Sequence, residues 1–228
     1  SKVNGNARRL KFDHAEITLD GNPGIGALDV SFGNGIPGVS GTLAFDSIDL
    51  RSFLAAFTPF AALENVNADA LSRNGVIQHA NVDLRLSAVK ATAGSVALSN
   101  VAATAQVKPG LAVFDVSDAA AFGGDLQAGV RIDGKPDGNH VELRIHAVDI
   151  DGAQVSKALG LATLFPQATG TASLQLKGMG QSWETVLDTG EGQISATFGA
   201  GNVPGLDLPG FIKRARSTGF FPLSAVGK

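Results

Sequence analysis

Apolar and polar residues alternate along most of this chain, and glycine-rich turns interrupt the alternation about every ten residues. Ala80, Val82, Leu84, Leu86 and Ala88 fall on one side of an extended segment, with Asn81, Asp83, Arg85 and Ser87 on the other. Side chains of a strand point to opposite faces in turn, so this period of two predicts a strand with one buried face. The same period runs through Leu28/Val30/Phe32, Val39/Gly41/Leu43/Phe45, Val101/Ala103/Ala105/Val107 and Leu126/Ala128/Val130/Ile132. It returns at Val141/Leu143/Ile145, Ala172/Leu174/Leu176 and Ile194/Ala196/Phe198. Further strands are predicted at residues 95–99 and 111–116. Across residues 7–20 the phase changes: Leu10 and Phe12 share one parity, Ile17 and Leu19 the other. A phase change inside one strand predicts a bulge or a break, here near His14.

Turns are predicted at Gly21-Asn22-Pro23-Gly24, Gly33-Asn34-Gly35, Pro109-Gly110, Gly123-Gly124 and Asp133 to Gly138. Connections this short favour antiparallel neighbours, because a parallel crossover needs about a dozen residues or more. Helices are expected at 51–57, 152–160, 182–188 and 209–216. Three of these follow a recurring apolar-Asp-apolar unit: Ile48-Asp49-Leu50, Val148-Asp149-Ile150 and Leu206-Asp207-Leu208. Asp49, and the pair Asp149 with Asp151, are expected to cap the helices they precede, a carboxylate accepting from a first-turn amide. Residues 64–78 lose both periodicities and are expected to connect a β-rich section (1–63) to a second one (79–228), possible parts of one sheet. The fold class is mainly β: a curved, mostly antiparallel sheet with a few short helices.

Composition narrows the chemistry. At 228 residues the chain is long enough to bury a sizeable core. It has 29 glycines, 17% charged residues, 6% aromatic residues, no Tyr and a single Trp183. The net charge of −3 gives no electrostatic footprint for nucleic acid. The absence of cysteine removes disulfides, zinc–thiolate sites and cysteine nucleophiles, and fits the bacterial periplasm. No apolar run reaches 18 residues; the stretch from Leu54 to Leu63 is broken by Thr58 and Pro59.

Catalytic motifs are missing. Gly21 to Gly26 lacks the Lys and Ser/Thr of a phosphate loop and reads as a turn. Gly38-Val39-Ser40-Gly41 does not have nucleophile-elbow spacing. His140 and His146 share strand parity but lie about 20 Å apart, too far to share a metal, and His14 and His79 stand alone. No catalytic residue, metal or cofactor is expected, and the chain is not read as an enzyme. Trp183 is expected to anchor its helix on the sheet.

Three stretches resemble the AsmA family. They are Pro37-Gly38-Val39-Ser40-Gly41-Thr42-Leu43-Ala44-Phe45-Asp46 with Ile48-Asp49-Leu50, then Phe122-Gly123-Gly124-Asp125-Leu126-Gln127-Ala128-Gly129-Val130, then Gly170 to Ser182 followed by Gly190-Glu191-Gly192 and Gly205-Leu206-Asp207-Leu208. They fall in the family's order over nearly the whole chain. The resemblance implies a periplasmic protein of a Gram-negative-type bacterium, tethered to the inner membrane by a helix upstream of this sequence. It also implies strands beyond residue 216, which the sequence does not show. Larger relatives are thought to form U-shaped β grooves that carry phospholipid toward the outer membrane.

On that resemblance, an apolar stripe becomes the candidate lipid groove: Val82, Leu84, Leu86, Val101, Val107, Leu126, Val130, Val141, Leu143, Leu174 and Leu176. The competing expectation is that these side chains pack under the helices at 51–57, 152–160 and 182–188. Lys213, Arg214 and Arg216 are the candidates for anionic headgroups. The expected partners are phospholipid, other envelope proteins that pair with a sheet edge by strand addition, and a membrane reached through the upstream anchor.

Overall fold

The computed structural model describes residues 2–6, 8–19, 21–33, 35–57, 80–136, 138–160 and 165–202. The expected connection at 64–78 and the expected helix at 209–216 lie outside these residues.

Eleven strands form one open sheet in which spatial order equals sequence order. They are β1 (Lys2–Asn6), β2 (Arg9–Leu19), β3 (Asn22–Ser31), β4 (Gly38–Asp49), β5 (Asn81–Ala93), β6 (Val96–Lys108), β7 (Leu111–Ala121), β8 (Gly124–Lys135), β9 (Gly138–Asp151), β10 (Thr169–Gly180) and β11 (Glu191–Phe198). Helix α1 (Leu50–Phe57) follows β4, α2 (Gly152–Ala158) follows β9, and α3 (Trp183–Asp188) joins β10 to β11. Every neighbouring pair is antiparallel except β4 with β5, which is parallel. That pair has the longest connection in the sheet, residues 50–80, and a parallel crossover needs about a dozen residues or more.

The alternation in sequence becomes a single apolar face. One row of facing residues crosses the sheet from edge to edge: Val3, Phe12, Leu28, Gly41, Leu84, Ala105, Phe114, Val130, Leu143, Leu176 and Gly192. The opposite face carries rows that are polar but for an occasional Val, such as Asp83, Gln106, Val113, Arg131, Glu142 and Lys177.

Keeping one face apolar over strands this long needs a correction to the pleat. On five strands the buried or half-buried positions step by three residues instead of two at one height of the sheet. The steps run from Phe45 to Ile48, Ala88 to Ala91, Leu98 to Val101, Val116 to Ala119 and Ala147 to Ile150. The strands share the irregularity in register on β4, β5 and β6, and shift register across β6–β7, β7–β8 and β9–β10. Bulges bend a strand and raise its twist, so this line bends the sheet. Asn100 and Asp149 lie on it with φ of 52° and 57°. The phase change near His14 is a bulge of the same kind, lower on β2, with His14 at φ 58°. It returns Ala15 and Ile17 to the face that carries Leu10 and Phe12.

Three expectations need correction. Residues 95–99 and 101–107 are one strand, β6, because the irregularity at Asn100 bends it without ending it. Residues 21–24 are not all turn: Gly21 turns at φ 78°, but β3 begins at Asn22. Gly24 is a floor position beneath Phe45, and a methyl group there would overlap the Phe45 ring. Of the pair expected to cap α2, Asp151 does so and Asp149 does not. The Asp151 carboxylate accepts from the Ala153 amide at 2.8 Å, as Asp49 accepts from the Arg51 amide at 2.9 Å. The equivalent units are therefore Ile48-Asp49 and Ile150-Asp151, each a buried Ile followed by a cap. Replacing either cap by Ala is expected to lower stability by about 1 kcal/mol. Asp149→Gly is expected to leave it unchanged or raise it by up to about 1 kcal/mol, since glycine fits positive φ. Urea unfolding of the three variants checks both.

Candidate functional site

All eleven groove candidates lie on the apolar face. Val82, Leu84, Leu86, Val101, Val107 and Val141 are buried, while Leu126, Val130, Leu143, Leu174 and Leu176 are half-buried. The difference follows from what covers them. Helix α1 leaves the end of β4 and folds back over the face. Its Phe53 meets Phe114 of β7 edge-on, with ring centroids 6.3 Å apart at 89°, and Phe57 reaches the same ring at 6.5 Å. To reach β7 from β4, α1 must pass over β5 and β6. Small residues lie among the inward positions on its way: Ala103 and Ala105 on β6 and Ala112 on β7, the last two with no exposed surface. Small side chains let a helix lie close to the sheet, and the aromatic cluster then fills the space above them. So in this half the expectation that helices cover the stripe is the one that holds.

Toward β11 the face opens. Helix α3 sits low on β10, where Gly178 and Gly180 lie beneath it. A methyl group at Gly178 would overlap the Val186 carbonyl oxygen, and one at Gly180 would fall 2.7 Å from the Thr185 Cβ. Val186 is buried, and Trp183 packs against the main core cluster, the anchoring role expected of it. Ser182 and Thr185 close a reciprocal capping box at the start of α3. The Thr189 hydroxyl accepts from the Met179 amide at 2.9 Å and donates to the Met179 carbonyl at 2.7 Å. It thereby satisfies β10 backbone beyond its last pairing with β11.

At the other end of β10 stands a second wall. Phe165 and Phe198 meet in a tilted contact with ring centroids 5.7 Å apart, and Phe198 covers Gly170. The chain after β11 folds back here: the Gly199 amide donates to Thr169 and the Gln167 amide to Asn202. Between the two walls every inward residue of β8 to β11 is apolar or glycine. Ile194, on β11, is 75% exposed on this face, and Val3, at the opposite edge of the sheet, is 52% exposed. Ile145 and Ile194 were not among the groove candidates, although the alternation that selected Leu143 and Leu174 also contains them.

The opposite face carries the charge. Arg9 clasps Asp29, Arg131 pairs with Asp133, and Glu142 accepts from Lys177 at 2.9 Å and Arg144 at 3.3 Å. The hydrogen bond from Lys177, then its charge, holds the Glu142 carboxyl below the ordinary range. His146 is exposed on this side, His14 is exposed at its bulge, and His79 lies outside the described residues. Among the described residues no group of His, Asp or Glu is placed to hold a metal, and no helix is long and apolar enough to cross a membrane. The headgroup candidates Lys213, Arg214 and Arg216 also lie outside the described residues. Replacing Lys177 by Gln is expected to raise the midpoint of Glu142 toward that of an ordinary carboxyl, which a carbon-detected NMR titration reads directly.

No curated protein and no solved structure matches the chain. The model of the AsmA family matches residues 1–226, nearly its entire length, so the chain belongs to the AsmA family.

Proposed function

We propose that this protein is a periplasmic, inner-membrane-tethered member of its family that supports the outer envelope by shielding phospholipid acyl chains on its apolar sheet face. The observation that carries the reading is the row of apolar residues crossing all eleven strands, half-open over β8 to β11 and free of charge there. Each CH₂ moved from water onto such a surface gains about 0.8 kcal/mol, so a trough without specific contacts holds lipid. The mechanism is passive: tails lie on the face, headgroups stay in solvent, and no covalent chemistry takes place. Family membership supports an envelope role; the site itself supports the lipid class.

A second reading has its own observation. Strand β11 is exposed along seven of its eight residues and, among the described residues, pairs on one side only. It carries no Lys or Pro, the residues that commonly blunt a sheet edge. Under this reading the protein is a non-catalytic scaffold, and an envelope protein adds a strand to β11.

Native mass spectrometry of the protein made in a bacterial periplasm, with lipid extraction, separates the two. The lipid reading expects bound phospholipid that is lost in a folded Leu176→Asp variant, whose site is half-exposed. Lipid-free protein that also fails to take up a fluorescent phospholipid would favour the scaffold.

A further inference from the structure

The open floor has ends, and the ends set a length. Along β10 the floor begins where Phe198 covers Gly170 and stops where α3 rests on Gly178. Eight residues at ~3.4 Å each put these two points about 27 Å apart. Contact with the two walls takes roughly 4 Å from each end, leaving about 19 Å. A lipid tail in an ordinary leaflet spans half of a ~30 Å hydrocarbon core, about 15 Å. Across the strands, three spacings from β8 to β11 give about 14 Å, room for tails side by side but not end to end.

The floor between the walls consists of Val130, Leu143, Ile145, Ala172, Leu174 and Leu176, with Ile194 at the open side. None of these side chains can form a hydrogen bond or ion pair. The charged residues of β8 to β10, among them Arg131, Glu142, Arg144 and Lys177, are on the reverse face, and several neutralise one another there. A headgroup near the floor would meet solvent at the β11 edge.

We propose that the floor over β8 to β11 is a close-ended site for aliphatic tails, which measures tail length between Phe198 and α3 and is indifferent to the headgroup. It rests on the lipid reading above and adds to it a limit that an open conduit would lack. A through-going trough binds longer tails ever more tightly, whereas a walled floor stops gaining once the tail fills it.

Trp183, the chain's single tryptophan, stands on the α3 wall and reports on occupancy. The probes are single-tailed phosphocholines, below micelle formation, with tails of about 10 to about 22 carbons, followed by Trp183 emission and titration calorimetry. Affinity is expected to rise about fourfold per CH₂, the equivalent of ~0.8 kcal/mol, then level off at one tail length. Exchanging phosphocholine for phosphoglycerol, or raising salt from ~0.05 to ~0.5 M, is expected to change affinity less than about twofold. In Phe198→Ala the levelling is expected to move to longer tails; Phe165→Ala, which loosens the same wall, serves if circular dichroism shows the first variant unfolded. A gain continuing through the longest tail would remove the end walls from the proposal's support and overturn it. Strong dependence on salt or headgroup would overturn the indifference. No binding of any tail would overturn the lipid reading itself.

Discussion

Register is the constraint on which this molecule depends. A strand displaced by one residue turns its entire apolar set to the other side. Eleven strands must therefore agree on which side faces in, over strands of up to 14 residues that are strongly bent. The agreement is kept by letting the buried positions step by three along a common line. Because β4, β5 and β6 carry the step together, the ladder between them is undisturbed, and the bend is made by the sheet rather than by one faulty strand.

Given that single face, the remaining features are answers to the question of how to cover it. The three short helices among the described residues are too few for eleven strands. Helix α1 crosses β5 and β6 to set Phe53 and Phe57 against Phe114 of β7, and α3 takes the low end of β10 by resting on glycines. The phenylalanines at 165 and 198 take the high end. What is left over is the half-buried floor between them, with Leu143, Leu174 and Leu176 in its middle. The site is thus the part of the core that the described helices do not reach, and its lack of polar groups is inherited from core-like patterning rather than from a set of recognition residues.

The strands and the inward face were legible in the sequence because a period of two is a local signal. So were the three helices, two of them marked by the aspartates before them. The bulge at His14 could be seen because four apolar residues of opposite parity flanked it, whereas the irregularity at Asn100 looked like a gap between two strands. Strand β1 escaped notice, since Val3 is the sole large apolar residue in Lys2–Asn6. Of the two carboxylates expected as caps, Asp151 is one and Asp149 is not: Val148-Asp149-Ile150 copies the letters of Ile48-Asp49-Leu50, but burial aligns Ile48 with Ile150, which puts the cap at Asp151. Which candidates lie under α1 and which remain open depended on where Phe53 and Phe57 land, a contact more than 50 residues away in sequence. No local pattern encodes it.

The identity of spatial and sequential strand order gives the sheet the character of a one-dimensional array. Each strand is stabilised by the one before and the one after, so the free energy is close to a sum of nearest-neighbour terms, as in repeat proteins. Hairpins lost or gained at either edge would shorten or lengthen such an array without rewiring its middle. Its weak joint is between β4 and β5, where pairing must close a loop that no hairpin brings together, and the entropy of that closure falls on a single ladder. Folding is then expected to spread separately through the strands on either side, with the parallel ladder joining two already zipped halves.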